Sequence, residues 1–207
     1  MSSGLSQRLK AISSLVQKNY TSVWDICCDH GKLGLEILKR DKCEKLFLVD
    51  CVESIMANLK YLQSEQVDVI CKDGAFIDNL GSNSLVCICG VGGEEMIHIL
   101  EGLELRNDLR DTDFILSPHN QAYKVRSYLR SRGLNKLSEH LITDRSWTYE
   151  VLFVGHQYNE EVSEIGEELY LNSCDTSLKH LKKITKHYHN TKETIASKYS
   201  ALLTKLT

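Results

Sequence analysis

Four clusters along the chain carry residue types able to do chemistry, and each follows a short apolar run: Asp25-Ile26-Cys27-Cys28-Asp29-His30-Gly31, Val49-Asp50-Cys51, Lys72-Asp73-Gly74 and Gly90-Val91-Gly92-Gly93. A strand followed by a polar or glycine-rich turn is where open α/β sheets bind ligands, beyond the carboxyl ends of their strands. Asp50 lies 19 residues past Gly31, close to the spacing at which an acidic side chain accepts hydrogen bonds from ribose hydroxyls. Asp73 and Gly74 are placed to meet a purine edge. Gly90, Val91 and Gly92 precede a helix, where glycine lets the backbone come close to a ligand. Each turn also has a purely structural reading: Asp25 anchoring the first loop, Asp50 capping the next helix, Gly92 making a tight turn. Four such turns in register make a nucleotide-binding site the better reading. A fifth turn, Ser117-Pro118-His119-Asn120, follows another apolar run and supplies an imidazole and an amide that could stack on or hydrogen-bond a base.

The elements that must position these turns follow from period. Apolar runs at Val23–Cys27, Leu46–Asp50, Val67–Cys71, Leu85–Cys89 and Phe114–Ser117 alternate with helical patterns near Leu33–Leu38, Glu53–Leu62, Glu94–Leu103 and Ala122–Arg132, the rhythm of a parallel sheet covered on both faces. An amphipathic helix through Leu5, Leu9, Ile12 and Leu15 precedes them. Lys136–Leu141 and Tyr149–Val154 then read as two strands joined by a seven-residue loop, an antiparallel ending rather than another crossover. A Gly-x-Gly-x-x-Gly fingerprint is absent, which disfavours a nicotinamide enzyme.

Composition narrows the classes. The chain has 207 residues, 42% hydrophobic and 26% charged, with one proline and a net charge of −3, so disorder and a global pull toward nucleic acid are both excluded. Its start lacks a basic stretch leading into an apolar segment, and no run approaches ~20 apolar residues. A cytoplasmic protein without membrane association is expected. Eight cysteines occur without a Cys-x-x-Cys pair, so they are read as small buried hydrophobes with no metal site.

Beyond Gly155 the charge segregates, with Glu160, Glu161, Glu164, Glu167, Glu168 and Asp175 preceding a lysine-rich stretch. Leu181, Ile184, Tyr188, Ile195, Tyr199, Leu202 and Leu206 form one apolar seam, predicting a single helix of ~30 residues. The acidic segment around Val162, Ile165 and Leu169 would be its antiparallel partner. The expected organisation is therefore a sheet domain over 1–156 and a helical hairpin over 157–207.

The Asp25 to Gly31 loop with its Asp-His pair, Asp73-Gly74, Gly90-Val91-Gly92-Gly93, Ser117-Pro118-His119-Asn120, Val125-Arg126-Ser127-Tyr128-Leu129, Tyr149-Glu150-Val151 and the opening Leu5-Ser6-Gln7-Arg8-Leu9 together resemble the bacterial tRNA (adenine(22)-N1)-methyltransferases over most of the chain. The resemblance implies a Rossmann-like class I methyltransferase fold with a seven-stranded, mostly parallel sheet, a coiled-coil-like two-helix C-terminal appendage, S-adenosylmethionine as cofactor and tRNA as partner. Two departures stand out: Cys27 occupies the place of a family glycine, and Ser117-Pro118-His119 replaces a Gln-Pro-Asn motif.

On this reading Asp25, Cys27, Asp29, His30, Gly31, Asp50, Cys51, Asp73, Gly74, Gly90, Val91 and Gly92 bind the cofactor. Asp29, His119 and Asn120 are the catalytic candidates, with Asp29 accepting a proton from N6 of the methylated adenine. Arg8, Arg126, Arg130, Arg145, Lys182, Lys183 and Lys186 are assigned to the RNA backbone, and a monomer is favoured. The competing readings are a methyltransferase on another acceptor and a non-catalytic cofactor- or RNA-binding module.

Overall fold

The structure is a computed structural model that describes residues 4–171 and 175–207; Cys174 and the first three residues lie outside them. A seven-stranded sheet runs in the order β3-β2-β1-β4-β5-β7-β6. Its strands are β1 (Tyr20–Ile26), β2 (Cys43–Asp50), β3 (Val67–Cys71), β4 (Ser84–Cys89), β5 (Thr112–Ser117), β6 (Asn135–Asp144) and β7 (Trp147–Gly155). The first five are parallel, and β7 pairs antiparallel with both β5 and β6. The chain winds outward from β1 to β3 and restarts at β4 beside β1, so the carboxyl ends of β1 and β4 flank the crevice where this topology binds ligands.

Alternation along the strands sorts side chains onto two faces. Trp24, Ile26, Val86, Ile88, Phe114 and Leu116 pack with Met96, Ile99 and Leu103 of α4 (Gly93–Arg106) and Val125 and Leu129 of α5 (Ala122–Ser131). Val23, Leu46, Leu48, Leu85, Cys87 and Ile115 face the other way, onto Ile12 of α1 (Gln7–Leu15), Leu33 and Ile37 of α2 (Lys32–Lys39) and Met56 of α3 (Glu53–Leu59). The loop expected between β6 and β7 shrinks to Arg145-Ser146, because Thr143 pairs with Thr148 and Asp144 with Trp147. Arg145 takes φ 57°, the positive sense that two-residue hairpin turns require.

The C-terminal seam folds back on itself. It forms α7 (Asp175–Asn190) and α8 (Ala196–Leu206), preceded by the short α6 (Glu168–Leu171). The 30-residue helix is broken where Lys192 adopts φ 55°, and Tyr188 stacks on Tyr199 at 5.2 Å across the resulting hairpin. The acidic stretch is mostly irregular rather than helical. Val162 leaves the tail to join the α4/α5 core, and Gly166 turns at φ 71° against Arg126, where a Cβ would stand 2.6 Å from the guanidinium.

Ionic contacts bind this tail to the sheet. Arg126, wholly enclosed, lies 2.7 Å from Glu139 and 3.0 Å from Glu150, and it donates to the Ser163 carbonyl at 3.2 Å. Lys136, also buried, pairs with Glu160 at 3.0 Å and with Glu168. The assignment of Arg126 to RNA is thereby corrected, since a guanidinium enclosed between two glutamates cannot reach phosphate. No described helix is long and apolar enough to cross a membrane.

Candidate active site

The expected turns converge on the carboxyl edge of the sheet. A cavity of about 940 Å³ opens there, walled by residues 4–9, by Asp25, Cys27, Cys28, Asp29, His30 and Gly90, and by His119, Asp144, Arg145 and Tyr149 from the opposite side. Asp50 and Asp73 lie beyond it, at the ends of β2 and β3.

The first loop is held in an unusual backbone path. Cys27, Asp29 and Gly31 all have positive φ (57°, 48° and 65°), a region costly for most residues with a Cβ and less so for asparagine and aspartate. Asp25 anchors the loop by accepting the Gly34 N–H at 2.9 Å. Asp50 accepts the N–H groups of Asp29 at 3.2 Å and Val52 at 3.0 Å, so it joins the first turn to the second while keeping lone pairs for a ligand. Burial pushes the Asp25 carboxyl up to about 7, against the lowering pull of the Gly34 hydrogen bond and with a further rise from Asp50.

The φ of 57° at Cys27 is a conformation that glycine adopts without steric cost. The variant C27G is expected to leave stability within about 1 kcal/mol, because relief of left-handed strain is offset by glycine's greater freedom in the unfolded chain. Its effect should instead appear as severalfold tighter binding of a ligand in this loop, measured by calorimetry alongside thermal unfolding.

Other turns are sorted by their contacts. Asp73 caps its own short helical turn by accepting the Ala75 N–H at 2.8 Å, and its other oxygen lies 4.0 Å from His98. Gly74 is buried, and a Cβ there would stand 2.4 Å from Ile26, so packing demands glycine at that position. Gly90 has φ 105° and faces His119, whereas Val91 and Gly92 meet the loop after β5. The His119 N–H donates to the Val91 carbonyl at 2.8 Å, and the Gly93 N–H donates to the Asn120 side-chain oxygen at 3.2 Å. Asn120 therefore braces the loop carrying Gly92 and Gly93.

His119 has a fixed tautomer. Arg8 lies 3.3 Å from its Nε2, and a guanidinium only donates, so Nε2 accepts and the proton sits on Nδ1. Partial enclosure and the Arg8 charge both hold the imidazole below its ordinary range. Asp29, by contrast, is solvent-exposed at the cavity rim, 2.6 Å from His30 Nδ1.

Sequence reasoning placed Arg8 on the RNA surface, and the structure turns it inward. It is 9% exposed, donates to the Ser117 Oγ at 3.1 Å and lies 4.2 Å from the centre of the Tyr149 ring. Tyr149 and Asp144 were not foreseen in the site. For Tyr149 the signal was its place in β7, where successive side chains take opposite faces and set it opposite Glu150; no local pattern marked Asp144, the last residue of β6. Of the other basic residues, Arg145 lines the cavity, and Lys183 sits 3.9 Å from the exposed Trp147 ring beside it. Lys182 and Lys186 are exposed on α7, while Arg130 is exposed near the far end of α5. Cys28, Cys43 and Cys87 are buried, but Cys51 and Cys71 are exposed at the strand ends, against the reading of all as core residues.

Residues 5–152 match the profile of the Methyltransferase domain family. The chain belongs to that family. This methyltransferase domain is 26% identical over 155 residues to a Mycoplasma genitalium protein named "Putative tRNA methyltransferase MG248", covering 72% of this chain and 69% of the other. Its fold is similar to that of the B. subtilis m1A22 tRNA methyltransferase TrmK, with TM-score 0.78, 19% identity and 98% and 94% of the two chains covered. M. capricolum TrmK in complex with S-adenosylhomocysteine has the same fold at TM-score 0.71, with 18% identity and 98% and 94% covered.

Proposed function

We propose that this methyltransferase domain transfers a methyl group from S-adenosylmethionine to N1 of an adenine in tRNA, with adenine 22 as the position. The observation that carries the reading is the one cavity lined both by the Asp25–His30 loop and, from the opposite side, by His119 and Tyr149, an arrangement that supports donor and acceptor meeting there. The residues present fit the donor. Gly90, with φ 105°, keeps the floor free of a side chain, and acidic groups stand at the ends of β1, β2 and β3. Asp50 and Asp73 would hold the ribose and the adenine, and Asp25 the cationic amino-acid end. When bound, S-adenosylmethionine supplies an electrophilic methyl group on a sulfonium.

The chain's own groups do the rest. Methylated N1 raises the acidity of N6, and Asp29 at the rim is placed to take the N6 proton, with His30 steadying its carboxylate. His119, held neutral with its proton on Nδ1, offers the base a hydrogen bond without adding a positive charge beside the developing cation. Residues 157–207 serve as the appendage that holds tRNA, and Arg145, Lys182, Lys183 and Lys186 meet its backbone beside Trp147, an exposed ring able to stack on a base. A cytoplasmic location follows from the substrate. The reading is tested by incubating unmodified tRNA with protein and donor and analysing the nucleosides by mass spectrometry. One new 1-methyladenosine, lost when position 22 is changed, supports it, and methylation elsewhere or none overturns it.

Two further outcomes are expected. Asp25 titrates in the folded protein at about 7 against an ordinary 3.8. Its neutral form therefore stabilises the free protein below about pH 4, and this contribution is lost as pH rises through 7. A cationic ligand favours the ionised form, so donor affinity rises between pH 6 and 8 with release of a proton. In D25N that pH dependence vanishes, donor affinity falls about tenfold, and the free protein melts higher at pH 8. Separately, K182E/K183E/K186E should weaken tRNA binding and reduce the slope of log affinity against log salt by about 2–3, while donor affinity is unchanged.

A further inference from the structure

Arg8 is a nearly enclosed cation without a counter-charge. Among the described residues no aspartate or glutamate pairs with it, and its partners are the Ser117 Oγ and carbonyl, His119 Nε2 and the Tyr149 ring. Among the described residues its buried Nε has no hydrogen-bond partner. The three carboxylates that line the same cavity are Asp25, Asp29 and Asp144. Asp25 is held by Gly34 and Asp29 by His30. Contact with a tyrosine face and with neutral oxygens offsets only part of the cost of removing a guanidinium from water. A fold that keeps such a charge against a cavity is completed by an anion entering that cavity.

We infer that Arg8 binds the carboxylate at the amino-acid end of the methyl donor, an assignment that rests on the function proposed above. Enclosure selects the anion: at 9% exposure the guanidinium is out of reach of an RNA backbone outside the cavity, whereas a carboxylate at the tip of a small ligand can reach it. The planar fork of arginine matches a carboxylate with two parallel hydrogen bonds. Charge in the cavity is also distributed for a zwitterion. Asp25 stands on the side of the first loop to meet the ammonium and sulfonium, and Arg8 stands on the opposite wall to meet the carboxylate. A ligand anchored by its nucleoside at Asp50 and Asp73 would thus be gripped at both ends.

The test compares S-adenosylmethionine with decarboxylated S-adenosylmethionine, which keeps the sulfonium and the ammonium and lacks only the carboxylate. Calorimetry on wild type, R8M and R8K gives the affinities, with thermal melts to verify folding. Wild type should prefer the intact donor by roughly 30-fold or more. R8M should lose that preference to within about twofold by weakening the intact donor alone, and R8K should retain a reduced one, since it keeps the charge without the fork. Should R8M fail to fold, R8K alone decides, because unchanged discrimination in R8K overturns the assignment. A wild type that binds both compounds equally, or an R8M that still discriminates, also overturns it. R8M losing affinity for tRNA with discrimination intact would place a phosphate there instead and overturns it too. A wild type that binds neither compound defeats the donor reading itself, which keeps the two failures distinct.

Discussion

Replacing Arg126 with methionine is expected to lower the unfolding free energy by about 3–5 kcal/mol, because it strips buried Glu150 of its counter-charge and leaves Glu139 with Lys136 alone, 3.5 Å away. For a chain of this size that corresponds to a fall in melting temperature of roughly 10 °C. Glu139 and Glu150 are each almost wholly enclosed, and Glu150 is already pushed up by burial despite the opposing pull of Arg126. Its folded pKa therefore exceeds the unfolded one. The neutral acid favours the fold at low pH, and that contribution is lost as pH rises. Removing Arg126 raises Glu150 further, so the deficit of R126M relative to wild type should be larger at pH 8 than at pH 5. Chemical unfolding at the two pH values measures this directly, and an equal deficit at both would defeat the electrostatic account. R126M/E139Q/E150Q should recover much of the loss, since a buried ion cluster adds little stability beyond its own neutral replacement.

The second large effect concerns turnover. D29N should reduce kcat by about 10²–10³ while donor and tRNA affinities change less than twofold. Asparagine is the informative substitution because position 29 sits at φ 48°, which asparagine tolerates and alanine does not. The amide also retains a hydrogen bond to His30 yet cannot accept a proton from N6. Single-turnover methylation with radiolabelled donor separates the steps. A loss confined to donor affinity would make Asp29 part of the donor site, and an unchanged kcat would remove it from catalysis.

The parallel strands were legible because both faces of the sheet are buried, which leaves continuous apolar runs such as Leu85-Val86-Cys87-Ile88-Cys89 that few other structures explain. The turns after β2 and β4 were legible for the same reason, since such a run breaks off at Asp50 and at Gly90 where the chain leaves the sheet, whereas Asp25 lies within β1. Arg8 and Arg126 were misread because charge predicts exposure unless the partners are known. Ser117 lies 109 residues from Arg8 and Glu150 lies 24 from Arg126, distances at which local pattern is silent. The tail seam was periodic enough to look like one helix, and nothing in its spacing marked the reversal at Lys192. Asn120 looked catalytic by type, yet its oxygen is engaged in bracing Gly93.

Neighbouring residues of β7 look into different worlds: Tyr149 faces the cavity beside Arg8, and Glu150 faces the ion cluster around Arg126. With only Arg145 and Ser146 between the paired ends of β6 and β7, there is no slack to absorb an inserted or deleted residue. A shift of one place would exchange the two side chains, thrusting a carboxylate into the cavity and a phenol into the salt lattice that clamps the tail. The length of this turn is thus a single dimension on which cavity and anchorage both depend, and engineering at the hairpin has to proceed by substitution alone.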